Sequence, residues 1–274
     1  MLRKLIKHEL RATVRVMGPM LLLMLAAAVG GNIAVYHLVE SDAAVLNLIG
    51  VLLLMAFVAA IAGAFIVSFV LMIQRFYKNL LRDEGYLMMT LPVTVHEHVL
   101  SKLLVSILWA AATVITTILA MGILVFELEF VDLIFYDLSE FLVQLEFSGL
   151  RLMDYAGHAA ALVLEMILLL IATDACLCLQ LYAAMAVGHS FTSHKGLLSF
   201  AAYAGFCIAW NIVQNAAMYL LGVIRPEGIQ LGLSVSPFTA AHINLCALIV
   251  CTMIPAVICY AITAYFLKNR LNLD

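Results

Sequence analysis

The stretch Val45–Ile73 reads VLNLIGVLLLMAFVAAIAGAFIVSFVLMI and contains no charged side chain. A helix needs about 20 mainly apolar residues to cross about 30 Å of hydrocarbon, and it makes all of its backbone hydrogen bonds internally. Further stretches of the chain meet the same length requirement. The six predicted spans are Val16–Tyr36, Val45–Ile73, Leu103–Phe126, Ala156–Val187, Leu198–Gly222 and Ala241–Leu267.

The composition of the whole chain agrees with a membrane protein. Of its 274 residues, 66% are hydrophobic and 11% are charged, and the mean hydropathy is +1.12. These values lie far from the averages of soluble globular domains. We therefore predict an all-α polytopic integral membrane protein. Residues 1–15 are predicted as a cytoplasmic amphipathic helix, and residues 16–274 as a single six-span transmembrane domain.

Lysine and arginine predict the orientation of the spans. An even number of spans places both termini on the same side, and 12 of the 14 basic residues then fall on that side. Arg151 and Arg225 fall on the other side. Because cytoplasmic loops are enriched in lysine and arginine, we predict that both termini are cytoplasmic and that the chain is a multi-pass protein of the plasma membrane.

The N-terminus has the pattern of an amphipathic helix, with an apolar row and a basic row side by side. Such a helix lies along the cytoplasmic leaflet, with its cations near anionic headgroups. Gly18-Pro19 would then turn the chain into the membrane. A plain basic anchor that only fixes the topology is the alternative. The rows are Leu2, Ile6, Leu10 and Val14, and Arg3, Lys7, Arg11 and Arg15.

A polar segment, residues 74–102, separates the second and third predicted spans. Helix-forming residues from Asn79 to Met89 predict a short helix, which Leu91-Pro92 ends. Thr94 and Glu97 have the spacing of a capping box, in which each side chain accepts a hydrogen bond from the other residue's backbone N–H at a new helix start. A solvated loop whose charges only fix the topology is the alternative.

Three runs between Tyr77 and Leu104 resemble the first cytoplasmic loop of the permease subunits of ATP-binding-cassette (ABC) transporters of the second exporter class. That family also has six spans per half, a basic amphipathic N-terminal helix and a short basic C-terminal tail. Its long outer segment usually lies between the fifth and sixth spans, whereas here the longest one follows the third. The runs are Asp83-Glu84-Gly85-Tyr86, Leu91-Pro92-Val93 and Leu100-Ser101-Lys102-Leu103-Leu104.

The resemblance implies a non-catalytic half-transporter for a hydrophobic or cationic peptide, drug or lipid. A coupling helix around Arg82–Thr90 would enter a cleft of a separate cytoplasmic ATPase, present in two copies, and a second permease half, identical or different, would complete the transporter. ATP and Mg²⁺ would be bound by the ATPase, since this chain has no Gly-x-x-x-x-Gly-Lys-Ser/Thr run. No cofactor of its own and no nucleic acid is implied. The implied coupling residues are Arg82, Asp83, Glu84, Gly85, Tyr86, Leu87, Leu91 and Pro92.

Glu165 and Asp174 lie within the fourth predicted span, where an acid costs about 2.5–3.5 kcal/mol near the bilayer centre. Their spacing of nine places them on opposite sides of a helix. One of them would line a substrate path, together with Asn211 and Asn215 of the fifth span. Alternatively, each is protonated or bonded to a neighbouring helix, with those two amides and Gln214 as candidate partners. An ATP-independent secondary transporter that uses these acids, or a membrane sensor or scaffold, is the alternative function.

Small residues predict a close helix contact on the second span. Ala56, Ala60, Ala64 and Ser68 recur at a spacing of four, which lets a neighbouring backbone approach. Pro255 lies deep in the sixth span, where it removes a backbone donor and predicts a kink.

The longest outer segment, residues 127–155, carries seven acidic residues and one arginine. Val131–Leu145 predicts an acidic amphipathic helix or lid, with a solvated loop as the alternative. All six cysteines fall in predicted spans, where thiols pack as small apolar groups, so no disulfide framework is predicted. His96 and His98 are two residues apart and cannot share a helix face, so no metal site is predicted. Gly188-His189-Ser190 lacks the second glycine of a nucleophile elbow, so no catalytic serine is predicted there.

Overall fold

The computed structural model describes residues 2–39, 41, 43–81, 93–126, 136, 152–191, 194–224 and 237–269, and within them the chain is all-helical. Each long helix follows one of the apolar stretches. The helices are α1 (Leu2–Ile33), α2 (Ala44–Phe76), α3 (Val95–Val125), α4 (Leu152–Gly188), α5 (Lys195–Ile224) and α6 (Pro237–Asn269). Five-residue π-helical turns extend α1 over Ala34–Leu38 and α2 over Tyr77–Leu81.

All six of these helices are long and apolar enough to cross a membrane. They correspond one to one to the six predicted spans, which confirms the all-α prediction for the described residues and supports a multi-pass membrane protein. Several helices extend past the predicted apolar boundaries. α3, for example, begins at Val95, as the predicted capping box at Thr94 requires, eight residues before the apolar span that starts at Leu103. The backbone hydrogen bonds of a helix are local, so they continue into polar residues where hydropathy has already fallen.

The N-terminal amphipathic segment is the first part of α1. The helix continues without a break through Gly18 and Pro19, so the predicted turn at these residues is wrong. Proline removes one backbone donor, and Met17 and Met24 on either side of it are fully buried. The apolar row was predicted to face lipid, so the 46% exposure of its Val14 does not test that prediction.

Glu9 and Thr13 are buried on α1 at a spacing of four. Thr13 Oγ1 donates a hydrogen bond to the Glu9 carbonyl oxygen, at 2.9 Å, and accepts one from Trp109 Nε1 of α3, at 2.7 Å. A buried polar side chain needs such partners, because an unpaired one costs about 1–3 kcal/mol. The N-terminal half of α1 is therefore held by polar contacts that its hydrophobic pattern does not indicate.

The chain divides into two compact units. One unit comprises Met1–Leu5, Met72–Ile107 and Tyr155–Asp274, and the other comprises Ile6–Leu71 and Leu108–Asp154. The second unit has a core of small side chains and a few large ones. Its buried residues are Met24, Ala28, Phe57, Ala60, Ala64 and Ala120. Burial of Ala60 and Ala64 confirms the predicted close contact for the middle of that row, whereas Ala56 is exposed.

Side chains of α1 and of its π-helical extension cap the end of α3 in the same unit. Asn32 Nδ2 donates to the carbonyl oxygens of Leu124 and Phe126, at 3.1 and 3.0 Å, and the Tyr36 hydroxyl donates to that of Val125, at 3.1 Å. The last carbonyls of a helix have no partner within it. These three hydrogen bonds therefore replace the missing ones.

α6 continues through Pro255, and the predicted kink there stays a prediction. All six cysteines lie in helices, as predicted: Cys176 and Cys178 in α4, Cys207 in α5, and Cys246, Cys251 and Cys259 in α6.

Gly188 ends α4 where α5 passes close by. A Cβ atom at this position would overlap the backbone and hydroxyl of Ser199, whereas one at Gly205 would meet no described atom within 4 Å. We expect Gly188→Ala to lower the free energy of unfolding by about 1–3 kcal/mol, the usual cost of overpacking. Gly205→Ala, the matched control on exposed helix, should raise it by about 0.5–1 kcal/mol. Unfolding in mixed micelles measures both, and equal effects would contradict the close approach at Gly188.

Candidate functional site

The first candidate site is the junction between α2 and α3. The predicted coupling residues, Arg82 to Leu87 with Leu91 and Pro92, lie outside the described residues. The structure does describe the helix ends on both sides of this segment. α2 ends in the π-helical turn Tyr77–Leu81, and α3 begins at Val95.

The start of α3 confirms the predicted capping box. The Thr94 backbone N–H donates to Glu97 Oε2, at 3.2 Å, and the Glu97 backbone N–H donates to Thr94 Oγ1, at 3.3 Å. Backbone donors in the first turn of a helix have no partner further up the chain. The reciprocal pair satisfies two of them and fixes the residue at which α3 begins.

The end of α2 is buried against α4. Phe76 stacks on Tyr182, with ring centroids 4.0 Å apart and planes 8° from parallel. Leu80 and Leu81 of the π-helical turn are also buried, in the same hydrophobic cluster as Phe76 and Tyr182. A π-helical turn adds one residue to a helical turn and is common at functional sites. Here it lies at the last described residues before the predicted coupling segment.

The start of α3 is buried in the same cluster, which we call the junction core. It joins the end of α2 and the start of α3 to the C-terminal halves of α4 and α6. His96 adds a polar link, since its Nδ1 lies 2.8 Å from the Tyr260 hydroxyl of α6. The buried members of the junction core are Met72, Phe76, Leu80, Leu81, Val99, Leu103, Cys176, Cys178, Leu179, Tyr182, Ala183, Met185, Ala256, Cys259 and Leu267.

His189 follows the end of α4 at the edge of the junction core. Its Nδ1–H donates to the Met185 carbonyl oxygen, at 2.9 Å, and its ring meets that of Tyr77 edge-on, with centroids 5.3 Å apart. Burial lowers the pKa of His189, and the positive charge of Lys195 lowers it further. Both effects favour the neutral imidazole over the charged one, against the opposing effect of the hydrogen bond to Met185, and the ring packs edge-on against Tyr77 of the π-helical turn.

The second candidate site joins the N-terminal halves of α4 and α6, and we call it the Glu–His–His cluster: Glu165, His242 and His158. His242 Nδ1 lies 2.9 and 3.0 Å from the two carboxylate oxygens of Glu165. His242 Nε2 lies 3.2 Å from His158 Nδ1. Both nitrogens of one imidazole are therefore in contact with ionisable groups of α4. The cluster places His158 and His242 near the starts of two predicted spans and Glu165 deeper in the first of them.

The predicted substrate-path residues are not brought together among the described residues. Glu165 pairs with His242, not with an amide of α5. Asp174 Oδ2 lies 3.9 Å from Cys178 Sγ, one turn along the same helix. The amides of Asn211 and Asn215 donate to carbonyl oxygens one turn earlier in α5. An exposed amide in a helix can satisfy itself in this way, so it does not need the acid on α4.

Sequence reasoning missed His158 and His242. His158 precedes Glu165 by seven residues, two turns of one helix face, and His242 lies four residues after Phe238 and four before Cys246. These spacings show which residues share a face of each helix. They do not show that the two faces meet. Counting histidines among the polar residues of the spans would have marked both as candidates.

Most of the acidic segment 127–155, including nearly all of Val131–Leu145, lies outside the described residues. Within the part that the structure describes, no group of three His, Cys, Asp or Glu side chains is arranged to hold a metal ion. No protein-family model, curated protein or solved structure matches the chain.

Proposed function

We propose that this chain is the transmembrane permease half of an ATP-driven exporter of the second ABC exporter class. It couples ATP hydrolysis by a separate cytoplasmic ATPase to the export of a hydrophobic or cationic substrate, a peptide, drug or lipid. Two ATPase copies and a second permease half complete the transporter in the plasma membrane. The loop residues that resemble the family's coupling segment, Asp83-Glu84-Gly85-Tyr86 above all, support this assignment.

One structural observation carries the proposal: both helix ends that flank residues 82–92 belong to the junction core. Close-packed interiors have low compressibility and transmit strain. A displacement of the segment would therefore act on α4 and α6 as well as on α2 and α3. The capping box and the Phe76–Tyr182 stack keep each end fixed relative to that core. The chain thus has the mechanical connection that a coupling element requires.

ATP would act through its different affinities for two states of the transporter. Nucleotide binding closes the two ATPase subunits, and the closed pair holds the coupling segments in one of two positions. A ligand shifts such an equilibrium only by its differential affinity for the two states. In this scheme, ATP and Mg²⁺ stay in the partner, and the permease contributes the helices that move.

Affinity purification from the native membrane tests the assignment. The tagged chain, extracted in mild detergent, should retain a soluble protein that carries a phosphate-binding loop and hydrolyses ATP. A different six-span protein carrying the same tag is the control. Purification of this chain with no ATPase, in a detergent that keeps its helices folded, would contradict the proposal.

The Glu–His–His cluster favours a second candidate, an ATP-independent secondary transporter driven by protons. An intramembrane chain of acid and histidine is typical of proton relays in such carriers. Transport by that carrier would survive ATP depletion and fail in Glu165→Gln. Transport by the exporter would stop when ATP is depleted.

A further inference from the structure

The three members of the Glu–His–His cluster form a continuous chain of hydrogen-bonding groups. It runs from the Glu165 carboxylate through both ring nitrogens of His242 to Nδ1 of His158. An ionised carboxylate only accepts hydrogen bonds, so His242 Nδ1 carries the proton in that contact. The remaining nitrogen, Nε2, then faces His158 Nδ1 at 3.2 Å, and one of these two atoms must carry the proton between them.

With Glu165 ionised, two of the protonation patterns that satisfy this geometry keep His158 neutral. In the first, His158 carries a proton on Nδ1 and donates it to an unprotonated Nε2 of a neutral His242. In the second, His242 is protonated on both nitrogens and donates from Nε2 to an unprotonated Nδ1 of His158, which is then protonated on Nε2. The second pattern contains one more proton than the first, and its positive charge lies beside the Glu165 carboxylate.

We propose that Glu165, His242 and His158 form a proton-binding site that exchanges one proton with the aqueous phase at the start of α4 and α6. A proton from water binds His158 Nε2, and the proton on His158 Nδ1 moves across the 3.2 Å contact to His242 Nε2. His158 is neutral before and after the transfer. The charge ends on His242, where the carboxylate compensates it.

The exposed fractions of the three side chains give the series of hydrogen bonds a direction. His158 is exposed, whereas the His242 and Glu165 side chains are only 21% and 19% exposed. The outer end of the relay therefore lies at the protein surface near the start of a span, and the charge-accepting end is largely enclosed. Glu165 lies seven residues beyond His158 in α4, about 10 Å along a helix axis at 1.5 Å per residue. The positive charge of the bound proton is thus carried from the end of the span towards its interior.

The other groups around the pair are compatible with this assignment. Phe238, one turn before His242 in α6, stacks on the His158 ring, with centroids 5.2 Å apart and planes 15° from parallel. Cys246, one turn after His242, places its Sγ 4.0 Å from Glu165 Oε1. The ionisable groups that face His242 are therefore His158 and Glu165 from α4, with the thiol of Cys246 on its own helix. The next acid of α4, Asp174, has its carboxylate beside Cys178.

A proton fits this site better than a metal ion does. The carboxylate contacts one nitrogen of His242 and a histidine contacts the other, so the acid and His158 are on opposite sides of the ring. The cluster therefore offers only two adjacent nitrogens to one ion, whereas protein zinc sites use three or four ligands. The alternating donors and acceptors of the chain instead match the transfer of a proton.

Nitrogen NMR of the full-length chain in lipid nanodiscs tests the inference, with ¹⁵N-labelled histidine and the signals assigned from His158→Gln and His242→Gln. On acidification, we expect His242 Nε2 to change from unprotonated to protonated. His158 should lose the proton on Nδ1 and gain one on Nε2, and so remain neutral. Scalar coupling between the two facing nitrogens should be present in the wild type and lost in either variant.

Two further variants complete the experiment. Glu165→Gln keeps an oxygen that accepts from Nδ1–H but removes its charge, so the acidified variant should keep the alkaline pattern at His242. His96→Gln, which removes an imidazole whose Nδ1 lies beside the Tyr260 hydroxyl of α6, should leave the wild-type pattern. Independent protonation of His158, an unchanged pattern in Glu165→Gln, or a pattern that appears only with added Zn²⁺ would each overturn the inference. None of these readouts requires the proposed exporter function.

Discussion

The double substitution Glu84→Ala/Gly85→Ala should lower the ATP hydrolysis that the chain stimulates in its partner by on the order of tenfold or more, the range of coupling between distant sites. The two residues lie in the segment that resembles a coupling helix. Replacing the acid removes a charge at the proposed contact, and replacing the glycine changes the backbone freedom there. The measurement is steady ATPase activity of the purified complex in nanodiscs, relative to the ATPase alone.

A matched control is available in the acidic segment between the third and fourth spans. Glu146→Ala/Gly149→Ala changes the same two residue types on the side opposite to the predicted cytoplasmic one. It should leave the stimulated ATP hydrolysis unchanged. Equal activity of both double variants, at equal amounts of protein in the membrane, would show that residues 82–92 do not couple to the ATPase.

Phe76→Ala should reduce the free energy of unfolding by about 3–5 kcal/mol, the usual cost of removing a buried phenylalanine. Phe76 has no exposed surface and stacks on Tyr182 in the junction core. The substitution removes the stack and leaves a cavity between α2 and α4. Unfolding of the purified protein in mixed micelles, followed by circular dichroism, gives the difference from the wild type.

Phe200→Ala is the control for this change. Phe200 lies on α5 and is 73% exposed, so it has few protein contacts to lose. Its substitution should cost within about 0.5 kcal/mol, as for other exposed positions. If the two variants unfold alike, the junction core does not hold the end of α2 in place.

The six spans could be predicted from the sequence because the hydrocarbon interior requires apolar residues over a fixed length of helix. Any helix that crosses the hydrocarbon must be apolar over about 20 residues, whichever helices surround it. The capping box of Thr94 and Glu97 was predictable for a related reason, since its two residues lie within one turn. Both signals are local in the chain, and the structure confirms both.

Contacts between helices could not be predicted in the same way. His242 lies 77 residues after Glu165, and the spacing of residues along each helix does not show which faces meet. Asn211 and Asn215 of α5 were candidate partners of the acids, but their amides donate to carbonyl oxygens of their own helix. The turn expected at Gly18-Pro19 failed because the packing of α1, which hydropathy does not report, keeps the helix continuous.

The π-helical turn Tyr77–Leu81 was also beyond the sequence signals. Its residues are ordinary helix formers, and the polar side chain of Asn79 is buried within it. The insertion of one residue into a helical turn depends on the packing of Leu80 and Leu81 in the junction core. This turn gives the end of α2 a geometry that a standard α-helix does not have.

Site-specific photo-cross-linking from position 86 tests most directly whether residues 82–92 contact an ATPase. A photoreactive amino acid replaces Tyr86 in the native membrane, and the same change at Tyr219, which is 74% exposed on α5, is the control. We expect irradiation at position 86, but not at 219, to join the chain to a soluble protein with a phosphate-binding loop. Capture of no ATPase at position 86, from cells in which the tagged chain is functional, would contradict the account.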